Sequence, residues 1–236
     1  MRYKAVFFDA GETLVHADPS FPELFAQVLS RSGHSVDPDA VTERLQVVSE
    51  VVADRFKQAA ENQELWSTDE DRSKAFWLSI YRLFLDDLGL SSEPGLDNEL
   101  YEAFSDHSNY ALFPDVEPAL EELRAAGLTM GVISNFEGWL EMLLEHLDVS
   151  RYFPVRVISG IEGVEKPDPE IFRIALSRAG IEASDAVYVG DNPHFDVDPA
   201  AGVGMHAVLL DRRDRFPESE SPRVRSLEEL PTLVGV

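Results

Sequence analysis

A chain of 236 residues with 44 Asp and Glu against 20 Lys and Arg carries a net charge of −24, a field that repels polyphosphate backbones and argues against nucleic acid as a partner. Its apolar share of 44% is that of a globular protein with a sizeable core, and no run reaches the roughly 20 apolar residues that span a bilayer. The absence of cysteine excludes disulfides and thiolate metal sites. The first residues, MRYKAVFF, lead straight into an apolar segment without a signal-peptide pattern, so cytoplasm is the expected location and no membrane partner is expected.

In chain order, residues 4–9 read as a short buried strand closed by Asp9, with a loop of Gly11, Glu12 and Thr13 behind it. From about residue 20 to 108 the texture changes to four segments with apolar residues three and four apart. Asp and Thr at their starts serve as N-caps, and polar breaks at 34–39, 62–68 and 91–97 fit short connections. From about 112 onwards strands and helices alternate. A helix closed by Gly127 precedes the strand LTMGVIS, and the helix FEGWLEMLLEHL precedes the strand VRVIS. A helix ending at Gly180 then leads to the strands AVYVG and HAVLL. The polar stretch 212–223 reads as a loop, and SLEELPTL as a short final helix. Such alternation calls for a parallel sheet with right-handed crossovers. The expected fold class is therefore α/β: a core of residues 1–15 and 112–236, with residues 16–111 inserted as an all-helical domain.

Four segments place polar groups at strand ends, where open α/β sheets collect ligands. Asp9 closes the first strand. Ser134 and Asn135 follow MGVI, Lys166 lies in GVEKPDPEIF, and Asp191 and Asp196 follow AVYVG. A carboxylate nucleophile, a hydroxyl, a lysine and a carboxylate pair suit phosphoryl transfer on a magnesium ion, a hard cation with oxygen ligands. Each residue also has a plainer reading. The three Asp and Ser134 are all reasonable turn or helix caps, and Lys166 a solvated lysine, although its being one of only four lysines weighs against that. The six histidines (16, 34, 107, 146, 194 and 206) show no metal-ligand spacing.

In order and spacing, these segments resemble the four motifs of the haloacid dehalogenase (HAD) superfamily. The resemblance runs motif by motif over residues 1–15 and about 112–212. Between them it is one of size and helical character. SNF at 134–136, the KPDP stretch and GDN at 190–192 most resemble one subgroup of capped members. The resemblance implies a HAD-like Rossmannoid sheet with an inserted helical cap. It makes Asp9 a nucleophile that forms an aspartyl-phosphate and Lys166 its charge partner. It sets Ser134 and Asn135 at the phosphate of a small phosphorylated substrate. It gives Mg²⁺ to Asp9, the Gly11 backbone carbonyl and Asp191, with Asp196 binding directly or through water. The cap would choose the substrate, and it contains no motif that names one.

One position departs from the pattern. Phosphatases resembling this chain carry a second Asp two residues after the nucleophile as general acid–base, and here that position is Gly11; the usual glycine next to it is Glu12. General acid–base catalysis is commonly worth about 10²–10⁴-fold. Four explanations stand: substrates with good leaving groups, a substitute acid such as Glu12, metal-independent 2-haloacid dehalogenation, or binding of a phosphorylated ligand without efficient turnover. Haloacid dehalogenases resemble SSN rather than GDN at the fourth motif. The Asp191/Asp196 pair therefore favours a Mg²⁺-dependent, phosphatase-like hydrolase, slowed by the missing group.

Overall fold

A computed structural model describes residues 3–62, 64–90 and 93–236; in the second helix the side chains of 45–47, 49, 50, 53, 54, 56, 57 and 59–61 lie outside the description. The chain runs β1 (Ala5–Phe8), β2 (Val15–Ala17), α1 (Phe21–Arg31), α2 (Pro38–Glu61), α3 (Glu70–Asp87), α4 (Leu96–Phe104) and β3 (Tyr110–Leu112). It continues through α5 (Val116–Ala125), β4 (Thr129–Ser134), α6 (Leu140–His146), β5 (Val155–Ile158), α7 (Ser159–Glu162), α8 (Pro169–Ala179) and β6 (Ala186–Gly190). The last elements are α9 (Asp198–Gly202), β7 (His206–Leu210), β8 (Arg223–Val224) and α10 (Leu230–Val234). Packing divides it into one unit of residues 1–16 and 112–236 and a second of 17–111.

The first unit is built on one sheet with strand order β5-β4-β1-β6-β7-β8, every pair parallel. Central β1 is buried along its whole length. That is why AVFF is an unbroken apolar run rather than an alternating one. On one face α8 sets Ile171, Phe172 and Ala175 into a cluster with Phe7, Ile133 and Tyr188. The sequence dictates the ends of α8: the Asp168 carboxylate accepts from the Glu170 N–H at 2.8 Å, Pro169 opens the helix, and Gly180 closes it in the left-handed conformation. The register matters most for function. Phe8 pairs with Val132 on one side and Val189 on the other, so β1, β4 and β6 end side by side.

The second unit is built on α1–α4, where the three- and four-residue spacing lies, but its ends are not helical: Ala17 belongs to β2 and Tyr110–Ala111 to β3, strands that the sequence reading did not expect. Phe25, Leu29, Phe84 and Leu100 are buried in one cluster, and the Phe21 and Phe104 rings stack at 4.6 Å. Ser20 and Glu23 form a capping box ahead of α1.

Several boundaries differ from the sequence reading. The helix expected from Phe136 begins only at Leu140. The Phe136 N–H donates to Ser159 Oγ (3.0 Å) and its carbonyl accepts from the Gly160 N–H (3.0 Å), so this backbone serves the start of α7 instead. The stretch 212–223 is a loop as far as Pro222, and β8 then begins at Arg223 as a sixth strand of only two residues. After β6 the chain enters a single π-helical turn, Pro193–Val197, that no local propensity announces.

Candidate active site

Asp9 follows directly on β1 and is buried, its N–H donating to the Val189 carbonyl at 2.9 Å. Ser134, the last residue of β4, donates its hydroxyl to Asp9 Oδ1 at 2.9 Å. Lys166 arrives from the loop after α7, and its backbone is gripped on both sides by one side chain. The Lys166 N–H donates to Asn135 Oδ1 (2.6 Å), and Asn135 Nδ2 donates to the Lys166 carbonyl (2.8 Å). Asn135 is thus committed to holding Lys166. The ammonium spends its three donors on Asp9 Oδ1 (2.7 Å), Asp196 Oδ1 (2.5 Å) and the Tyr188 hydroxyl (3.1 Å).

The π-helical turn aims Asp196 at that ammonium. Asn192 caps the turn, its Oδ1 accepting from the N–H groups of His194 (2.9 Å) and Phe195 (3.2 Å). Asp196 Oδ2 takes the Asn192 N–H at 3.0 Å. Gly190 makes room for it: a Cβ there would stand 2.3 Å from Asp196 Cγ, closer than atoms approach. The Tyr188 hydroxyl lies within reach of Asp196 Oδ1 (2.8 Å) and the Ile133 carbonyl (3.1 Å), and its one proton serves either. Asp191 sits nearer solvent, with Arg215 Nη2 on its Oδ2 at 2.7 Å. One oxygen from each of Asp9, Asp191 and Asp196 lies within 4.8 Å of the others.

Crowded, buried carboxylates resist ionisation. Burial raises Asp9 above the ordinary carboxylate range, Lys166 draws it down, and Asp196 pushes it up again. Burial also raises Asp191, with help from Asp196 and Asp9 and against Arg215, up to about 7. Lys166 goes the other way. Burial disfavours its charge, but Asp196 and Asp9 outweigh that and hold it protonated beyond the usual lysine range. Burial, then the charge of Asp196, keeps the Tyr188 hydroxyl well above its ordinary value, so it stays neutral.

The loop after Asp9 closes tightly, with the Leu14 and Val15 N–H groups on the Ala10 carbonyl at 2.8 and 3.0 Å. Glu12 occupies the left-handed region (φ 55°), which accounts for the usual glycine at this place. Its carboxylate is paired with Arg213 Nη2 at 2.8 Å, outside the carboxylate cluster. Glu12 thus faces Arg213 in an exposed ion pair and is not one of the three converging carboxylates.

Of the residues singled out from sequence, Asp9, Ser134, Lys166, Asp191 and Asp196 come together, Asn135 stands one step behind, and Gly11 lies in the loop after Asp9, bridged to Val15. Two members escaped the sequence reading. Tyr188 looks like core in AVYVG, and only its polar tip hints otherwise. Arg215 lies in RRDR (212–215), an arginine-rich run in an acidic chain just after a strand end.

This sheet and this strand-end cluster define a family. A model described as haloacid dehalogenase-like hydrolase matches residues 3–204; the chain belongs to that family and is a hydrolase. Among its relatives, the haloacid dehalogenase-like hydrolase domain-containing protein 3 of Xenopus laevis is 36% identical over 172 residues, 70% of each chain. Its Danio rerio counterpart is 29% identical over 96% of this chain and 94% of its own length. A phosphoserine phosphatase of Thermus thermophilus is 37% identical over 64% of this chain and 62% of its own. Among solved structures, a HAD phosphatase from Thermococcus onnurineus superposes with a TM-score of 0.63 at 27% identity over 98% of each chain. The L-2-haloacid dehalogenase RSc1362 shares the fold, with a TM-score of 0.78 at 19% identity over the full length of both. Among the described residues no helix is long and apolar enough to cross a membrane.

Proposed function

We propose that this hydrolase is a Mg²⁺-dependent phosphatase that acts on a small phosphorylated metabolite through an aspartyl-phosphate at Asp9, with residues 16–111 as its cap domain. The observation that carries this reading is the meeting of three carboxylates within 4.8 Å beside a buried lysine. An all-oxygen donor set suits a hard cation such as Mg²⁺. Asp9, Asp191, Asp196 and the Gly11 carbonyl would hold the ion, which would neutralise the phosphate charge that otherwise repels a carboxylate nucleophile.

The chain's own groups divide the remaining work. Ser134 and Lys166 both engage Oδ1 of Asp9, which leaves Oδ2 as the less encumbered oxygen for attack on phosphorus. The bond from Oδ2 to phosphorus forms as the ester P–O bond breaks. Water then attacks phosphorus, releases phosphate and restores the carboxylate. Lys166, fixed by Asn135, Asp196 and Tyr188, draws Asp9 toward ionisation and sets a positive charge beside the place where the phosphate would lie. With glycine at position 11 and Glu12 paired with Arg213, the first motif of the described residues offers no acid aimed at the departing oxygen. Substrates with good leaving groups, acyl or aryl phosphates, are therefore favoured, and alkyl esters turn over slowly.

Phosphatase-named relatives support this reading. The missing acid equally suits a dehalogenase, whose halide leaves without a proton. A panel of phosphate esters and 2-haloacids, each with Mg²⁺ and with EDTA, separates the two. Phosphate release that requires Mg²⁺ is expected, and Asp9→Asn should abolish it in a folded protein. Halide release in EDTA at an enzymic rate would overturn the proposal, and silence in every assay would favour a phospho-ligand-binding protein.

A further inference from the structure

The segment 211–216, just after β7, reaches the site from outside the four motifs. Asp211 shapes it: this buried carboxylate accepts the N–H groups of Arg215 (2.7 Å) and Phe216 (2.9 Å) and Arg223 Nη1 (2.9 Å). Three arginines then fan out. Arg212 pairs with Asp115 through both terminal nitrogens (2.7 and 2.9 Å) and donates to the Thr13 carbonyl at 2.9 Å. Arg213 holds Glu12, and Arg215 holds Asp191. The segment is thus anchored to the loop behind the nucleophile, and it presents Arg215 to the carboxylate cluster from a fixed base.

The two cations of the cluster differ in kind. Lys166 is 4% exposed and bonded to Asp9, Asp196 and Tyr188 at once, so it is permanent. Arg215 is 47% exposed and touches the cluster through Asp191 Oδ2 alone, so its guanidinium can swing into solvent at little cost. We propose that Arg215 is the displaceable counter-charge of Asp191 and sets the affinity of the cluster for its divalent cation, the two competing for one carboxylate. This inference rests on the Mg²⁺ reading above. When all three carboxylates are ionised, Lys166 and Arg215 leave one net negative charge, whereas a dication in place of Arg215 balances them. Removing Arg215 has two opposed effects. Asp191 gains rotamer freedom, which weakens ion binding slightly. A positive charge on the ion's own ligand disappears, which strengthens it more, because charges on one carboxylate interact at short range in a partly buried site.

The test is calorimetric titration of the full chain with MgCl₂, without substrate, on wild type, Arg215→Ala, Arg215→Lys and Arg213→Ala. Arg215→Ala should bind Mg²⁺ tighter by about threefold or more, while Arg215→Lys, which keeps the charge, should stay closer to wild type. Arg213→Ala removes an equal charge from the same segment without freeing Asp191 and should change little. Should Arg215→Ala fail to fold by circular dichroism, Arg215→Gln takes its place. Unchanged or weaker Mg²⁺ binding in the folded neutral variant overturns the proposal, as does equal tightening in Arg213→Ala, which would signify a general field effect. If wild type and Asp191→Asn both show no Mg²⁺ binding, it is the metal reading that fails.

Discussion

At the scale of single residues, the proposed chemistry turns on Gly11. A Cβ added there would meet nothing within 4 Å, and its backbone lies outside the left-handed region. The Cβ of Gly11→Asp therefore meets no clash. It should raise turnover of alkyl phosphates, by up to roughly 10²-fold, and leave aryl phosphates nearly unchanged, because proton donation matters in proportion to leaving-group basicity. Parallel kinetics on the two ester classes decide it; equal changes in both, or none, would mean that the missing acid does not limit the enzyme. Tyr188 offers a second test at this scale. Its hydroxyl joins Lys166, Asp196 and the Ile133 carbonyl, while its ring packs edge-on to Phe172 at 5.1 Å. Tyr188→Phe keeps the packing and should cost about 1–2 kcal/mol in urea denaturation, since buried partners lose a hydrogen bond. A stability equal to wild type would show the hydroxyl to be idle. The sequence displays the charged residues well because carboxylates that follow apolar strands stand out against them. It hides Tyr188, whose place in an apolar strand is set by its ring, and it hides the partner of Glu12, which lies two hundred residues away.

At the scale of elements, the turn after β6 matters most. Gly190 ends the strand, Asn192 caps the π-helical turn, and together they bring Asp196 back over the strand end. Gly190→Ala would drive a methyl into the Asp196 carboxylate, 2.3 Å from Cγ, with no flexible neighbour able to yield cheaply. Asp196 must then leave Lys166 and Tyr188. The expected outcome is loss of Mg²⁺ binding by titration in a variant that still folds, because the sheet register through β1 and β6 does not depend on this carboxylate. Retained binding would show that the turn tolerates displacement. The strands and helices around this turn follow from apolar runs, N-caps at Asp168 and Ser20, and the closing Gly180. The turn itself does not, because tertiary contacts to Lys166 and Tyr188 hold its shape. β8 is obscure for a similar reason: two residues in a charged stretch carry no periodicity, and only the edge of β7 recruits them.

Across the whole molecule, 44 acidic residues raise the question of how this chain accommodates another three carboxylates packed together. Two cations and a raised affinity for protons answer it, and that answer makes stability depend on pH. Asp191 titrates near 7 in the ion-free fold, above its ordinary 3.8, and Asp9 is shifted in the same direction. A carboxyl whose folded value is raised contributes stability that is fully present below the ordinary value and is lost as pH rises through the folded one. For Asp191 that loss runs from about pH 4 to just above 7. The ion-free protein should therefore melt lower at pH 8 than at pH 6 from this source. A divalent cation binds the ionised form, so protons compete with it at pH 6 and hardly at pH 8. The rise in melting temperature on adding Mg²⁺ should accordingly be larger at pH 8 than at pH 6, measured by thermal unfolding with MgCl₂ and with EDTA at both values. Asp191→Asn removes the titrating carboxyl and should flatten the difference while melting higher than wild type in EDTA at pH 8. A Mg²⁺ shift that stays constant or shrinks between pH 6 and 8 would mean that Asp191 is already ionised in the ion-free site, with Arg215 outweighing the burial that raises it.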